Sequence, residues 1–175
     1  MRDPYLYEDV AVLRNKLDIR QQELLDEAEA DYVVFRLKDL ALNPLPGDYH
    51  IVHFLKMHEF IFRDIFEWAG RPRTISIYKE EDVLGGQSIE YSDPFDIVRD
   101  LHHVLYDMRA KEWKKMSREQ ISCEFCDSLA KLWKIHPFRE GNTRTTVTFC
   151  CQFADEMDFS KKEYLERIIY DAFGH

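Results

Sequence analysis

Residues 49–66 carry apolar side chains nearly all the way round a helical projection: Val52, Phe54, Leu55, Ile61, Phe62, Ile65 and Phe66. A helix with no wet face cannot lie on a surface, so the rest of the chain has to be arranged around this one. The flanking sequence supplies the helices to do it. Residues 21–42 repeat Leu25, Ala28, Tyr32, Phe35 and Leu40 along one side, and Asn43-Pro44-Leu45-Pro46-Gly47 ends that pattern. Ser92-Asp93-Pro94 opens a second stretch carrying Val98, Leu101, Leu105 and Met108 at spacings of 3, 4 and 3. Ser117 and Gln120 form a capping box ahead of Ile121, Phe125, Leu129 and Leu132. Val147, Cys150, Ala154 and Met157 make another apolar stripe, and Ser160 with Glu163 caps a final helix bearing Leu165, Ile168, Ile169 and Phe173.

The period changes only once. From Arg73 to Tyr78 and from Ser88 to Tyr91 the pattern is extended, with Gly85-Gly86 between, which predicts one irregular hairpin. The residues therefore predict a single α-helical domain with one hairpin, of a length that buries a real core.

A net charge of −9 argues against a nucleic-acid backbone or an anionic membrane as the main partner. The four cysteines, Cys123, Cys126, Cys150 and Cys151, all fall in helical stripes and are expected to be reduced core thiols rather than a zinc site. No apolar run approaches the ~18 residues of a membrane span and no leader is visible, so a cytoplasmic location is expected. His50, His53 and His58 lie on different faces of the central helix, and no zincin spacing is present.

The densest chemistry sits at one helix-to-helix junction: His136-Pro137-Phe138-Arg139-Glu140-Gly141-Asn142-Thr143-Arg144. Pro137 disfavours the α conformation at His136, so the preceding helix should end there with the imidazole partly accessible and free to titrate. Phe138, an aromatic in a polar loop, reads as an anchor into the core. Gly141 permits backbone angles closed to other residues, allowing a nest of N–H groups around an anion. If the next helix begins near Thr143, its free N–H groups and dipole face the same point. Arg144 adds a fork of charged donors, and Glu140 offers the hard oxygen that Mg²⁺ prefers. Taken singly, these are a helix end, a turn, a solvated acid and a surface charge. Compressed into one junction they suggest a phosphate site with a base beside it, without naming the reaction.

That run resembles the signature of the Fic (filamentation induced by cAMP) family, His-x-Phe-x-acid-Gly-Asn-Gly-Arg, from which it departs at Thr143. Phe66-Glu67-Trp68-Ala69-Gly70-Arg71-Pro72-Arg73-Thr74 resembles the stretch leading into that family's β-hairpin flap. The resemblance implies an all-α, Fic-like helical bundle with one β-hairpin flap: a single domain over 1–175, core about 4–158, flap about 73–91, motif loop 136–144. It further implies a protein adenylyltransferase that moves AMP from ATP to a target hydroxyl. His136 would be the general base and Glu140 would hold Mg²⁺. Gly141, Asn142 and Thr143 would cradle phosphate, and Arg144 would bind the β/γ-phosphates. If position 143 is helical, Thr costs little there, and its hydroxyl could donate to phosphate.

The flap would dock an extended target segment by strand addition. The family's inhibitory pattern, Ser/Thr-x-x-x-Glu-Gly/Asn, has its nearest match at Ser76-x-x-x-Glu80-Glu81, which fails at the last position. This implies a toxin held by a separate small antitoxin. The rival readings are a phosphotransferase of the same fold and a non-catalytic nucleotide- or peptide-binding module.

Overall fold

The computed structural model describes residues 3–77 and 90–159. Five α-helices run in the order α1 (Gln22–Leu42), α2 (Ile51–Phe62), α3 (Ile97–Ala110), α4 (Arg118–Ile135) and α5 (Asn142–Glu156), with a 3-10 turn at Trp113–Lys115 before α4. Helix α2 is central: it packs against α1, α3 and α5, while α4 closes the far side against α3 and α5. Its buried positions are His53, Phe54, Met57, His58, Ile61 and Phe62, and the chain continues into the core at Ile65 and Phe66. Val52 alone of the expected apolar set on α2 faces substantially outward, at 58% exposed.

The remaining helices follow from their ends and faces. Asn43 ends α1, ahead of Pro44. The Ser117–Gln120 capping box forms in both directions: Gln120 N–H donates to the Ser117 hydroxyl, and Ser117 N–H donates to Gln120 Oε1 at 2.8 Å. Helix α3 starts at Ile97, later than expected, because Asp93 first caps a turn: Phe95 N–H donates to Asp93 Oδ1 at 2.9 Å. Its buried stripe accordingly runs through Ile97, Leu101, Leu105 and Met108, leaving Val98 outside.

Several expectations need correcting. On α1 the inward face is Leu25, Glu29, Val33 and Leu40, while Tyr32 and Phe35 are exposed. Only one side of α1 meets α2, and that side is rotated to bring Glu29 in. Among the cysteines Cys150 is buried, its thiol pushed well up by burial, but Cys123 is exposed. No cluster of potential metal ligands occurs among the described residues, and none of their helices is long and apolar enough to cross a membrane.

The hairpin over 73–91 is not supported. The described residues contain no strand, only an isolated bridge between Leu6 and Leu13; residues 78–89, with Gly85-Gly86, lie outside the described residues, as does the final helix expected from Ser160. On the described flanks the carbonyls of Ile75 and Ser92 both accept from the guanidinium of Arg73, so a side chain rather than a backbone ladder joins them among the described residues.

The core is built of stacked rings. Phe54 is fully buried, stacked on Phe138 at 5.9 Å and edge-on to Phe149 at 5.0 Å. Phe54→Ala should lower the unfolding free energy by about 3–5 kcal/mol in urea titrations. Leu42→Ala, at a side chain 81% exposed, should leave it within about 0.5 kcal/mol.

Candidate active site

Helix α4 ends at Ile135, and His136 follows it in left-handed angles (φ 51°, ψ 58°), a common way for a helix to stop. The motif loop then crosses the core and enters α5 at Gly141, whose φ is +81°. Glycine is required here twice over. The angle is disfavoured for other residues, and a Cβ would lie 2.3 Å from the Phe62 ring.

The loop is buried, so its backbone polar groups must find partners inside the protein. Asn142 provides two: Phe138 N–H donates to its Oδ1 at 2.8 Å, and its Nδ2 donates to Phe138 O at 2.7 Å. Both ends of the Asn142 amide thus shape the loop, with one Nδ2 proton left over. His58 supplies the next partner. Gly70 N–H donates to its Nδ1 at 2.8 Å, which leaves the proton on Nε2 to donate to Glu140 O at 3.0 Å. The ring also stacks on Phe138 at 3.7 Å. Burial pushes the His58 pKa down to about 3, so the ring stays neutral with its tautomer fixed.

Arg73 completes the set. Its backbone N–H donates to Pro137 O at 2.7 Å and its Nε to His136 O at 2.8 Å. Nη1 donates to Ile75 O at 2.7 Å and Nη2 to Ser92 O at 2.5 Å.

The predicted site residues fall as follows. His136 is at the junction but buried at 2% exposure, not partly accessible as expected. Tyr91 covers it, the two rings stacked 4.0 Å apart at 18°, and Trp133 stands edge-on at 5.7 Å. Nδ1 lies 3.4 Å from Trp133 O, an acceptor, which places the neutral ring's proton on Nδ1 and the basic lone pair on Nε2. Thr143 is already helical, and its hydroxyl accepts from Trp133 Nε1 at 2.9 Å, which uses one lone pair and leaves its own proton available. Phe138 is fully buried, as an anchor should be.

Arg144 lies in the first turn of α5, its guanidinium 4.9 Å over the Phe62 ring and 3.5 Å from Glu140 Oε1. It also pairs closely with Glu29 from α1. Burial raises the Glu29 pKa and Arg144 opposes that rise. Glu140 keeps a 30% exposed carboxylate, with Oε1 accepting from Gly141 N–H at 2.9 Å. Glu29, His58, Arg73 and Tyr91 were not predicted as site residues. A signal existed for Glu29, an acid standing between Leu25 and Val33 at i, i+4 spacing on the buried face.

Together these residues can hold an anion at the α5 N-terminus, with one charged fork, one hard carboxylate and one base around it. Residues 48–154 match the family model described as Fic/DOC family. The chain is 30% identical to the probable protein adenylyltransferase y4lH of Sinorhizobium fredii, over 99% of this chain and 90% of that protein. It is 28% identical to the protein adenylyltransferase VbhT of Bartonella schoenbuchensis over 90% of this chain, which spans only 32% of that relative. Among solved structures, the N-terminal Fic domain of a putative cell filamentation protein from Bartonella quintana superposes with a TM-score of 0.75 and 26% identity, covering 98% of this chain and 84% of the other.

The neutral state of His58 makes a pH prediction. Its folded pKa is about 3 against an ordinary 6.5, so the unfolded state takes up the proton first and the associated stability is lost as pH falls from about 6.5 towards 3. His58→Gln can accept from Gly70 and donate to Glu140 O without titrating. The loss of urea resistance between pH 7 and pH 5 should therefore be shallower in the variant than in the wild type.

Proposed function

This chain belongs to the Fic/DOC family, and we propose that it works as a protein adenylyltransferase, moving AMP from ATP to a side-chain hydroxyl of a target protein. The observation that carries this reading is the junction itself. His136, with Nδ1 turned to Trp133 O, ends α4, and a carboxylate and a guanidinium 3.5 Å apart lead into α5.

His136 is the general base. It removes the proton from the acceptor hydroxyl as that oxygen bonds to the α-phosphorus, the bond from that phosphorus to the bridging oxygen breaks, and pyrophosphate leaves. The proton stays on Nε2 through the transfer and is given up once the products have left. Burial beneath Tyr91 keeps bulk water from the imidazole, which favours a docked hydroxyl over hydrolysis. Arg144 binds the β/γ-phosphates and meets the charge that develops on the leaving group. Its two carboxylate neighbours and the Phe62 face restrict where the fork can point. The backbone N–H groups of Asn142 and Thr143 receive phosphate oxygens at the helix N-terminus, beside a Gly141 N–H held by Glu140, and the Thr143 hydroxyl has a proton to add.

Glu140 fits Mg²⁺, which commonly takes one protein carboxylate and fills its shell with water and phosphate oxygens. The carboxylate is partly exposed, and no competing cluster of ligands stands beside it among the described residues. Bound there, the ion would neutralise phosphate charge, while Glu140 holds and orients it. We further infer that the target is engaged through the segment over 73–91, and that a separate small antitoxin restrains the enzyme.

Labelling of soluble lysate proteins with ATP tagged at the α-phosphate tests this reading. Wild type should transfer label, and His136→Ala should reduce it by about 100-fold or more while Mg-ATP binding survives. Undiminished labelling by His136→Ala rules out the base.

A further inference from the structure

Arg73 is 2% exposed and brings a full charge into the core, yet among the described residues its guanidinium donates to three neutral main-chain carbonyls. Burial lowers its pKa, and Asp93, Tyr5 and Tyr91 only partly offset that cost through longer-range attraction. An arginine used merely to fill volume would be replaced at lower cost by an apolar side chain. What the guanidinium does instead is join three points of the chain. Nε fixes the carbonyl of His136, the residue held in left-handed angles. Nη2 fixes the carbonyl of Ser92, next to Tyr91, whose ring lies on the imidazole. Nη1 fixes Ile75 on the other flank of the same excursion. The rigid fork therefore sets both the backbone from which the imidazole projects and the ring that covers it.

We propose that Arg73 is a positioning residue for His136. It locks the imidazole between its backbone carbonyl and Tyr91, and it ties both ends of the segment over 73–92 to the catalytic base. Lysine, with a single point charge, cannot reach all three carbonyls in the same geometry. This assignment rests on the transfer reading of the site, but its structural half can be measured without it.

The experiment uses the whole chain with R73Q, R73K and wild type. The imidazole proton signals of His136, assigned by their disappearance in His136→Asn, report the stack through the Tyr91 ring current. Label transfer from α-phosphate-tagged ATP to lysate proteins reports function. In R73Q the ring-current shift should collapse and transfer should fall about 10- to 100-fold, while the apparent KM for ATP stays within about threefold. R73K should recover part of both. Retention of either the imidazole shift or the transfer rate at the wild-type level in R73Q overturns the assignment. Should circular dichroism show R73Q unfolded, R73K decides by the same criteria, with partial loss of both signals expected and wild-type behaviour in either overturning it. A wild type that transfers no label would defeat the transfer reading, and the imidazole shift would still decide for or against Arg73.

Discussion

The structure depends on satisfying the backbone of a loop that has been pulled into the core. Residues 136–142 bring carbonyls and N–H groups away from water, and each one left unpartnered would cost about 1–3 kcal/mol. Side chains meet that demand. Asn142 serves Phe138, His58 serves Glu140 and Arg73 serves His136, while the Arg73 backbone N–H serves Pro137. The central helix is therefore more than a hydrophobic spine. Through His58 it also fixes the loop that presents the base, the carboxylate and the α5 N-terminus.

Charge is distributed around this loop on a consistent pattern. Arg73, which must not move, is held by neutral carbonyls that leave its position to geometry alone. Arg144, which receives an anion in the proposed reaction, is held by the carboxylates of Glu29 and Glu140 and by the Phe62 face, at partial exposure. Its resting partners mimic the oxygens of a phosphate, so the fork is shaped in advance for a ligand of that charge. Thr143 fits the same logic. At a helical position its branched side chain is tolerated, and its hydroxyl ties Trp133, which borders His136, to the start of α5.

Much of this could be read from the sequence, and the failures have common causes. Local signals held: the end of α1 ahead of Pro44, the Ser117–Gln120 capping box, the positive φ of Gly141 and the burial of Phe138 each depend on a few neighbouring residues. The misreadings depended on tertiary partners. The apolar residues of α1 predict one face, while the fold turns Glu29 inward to meet Arg144, more than a hundred positions later. A helix end ahead of Pro137 predicts an accessible His136, and local sequence does not register Tyr91, which reaches over it from a distant segment. Alternation near Ile75 and Ile77 predicts a hairpin whose turn lies outside the described residues, and periodicity does not register the arginine side chain that joins its described flanks.

The central claim is that this junction brings an acceptor hydroxyl to the α-phosphorus of ATP. Intact-mass and fragment spectra of a protein modified by the wild-type chain test it most directly. The account predicts that a whole AMP is added through a phosphodiester to a serine, threonine or tyrosine oxygen. A bare phosphate on that oxygen would show attack at a different phosphorus and contradict the account.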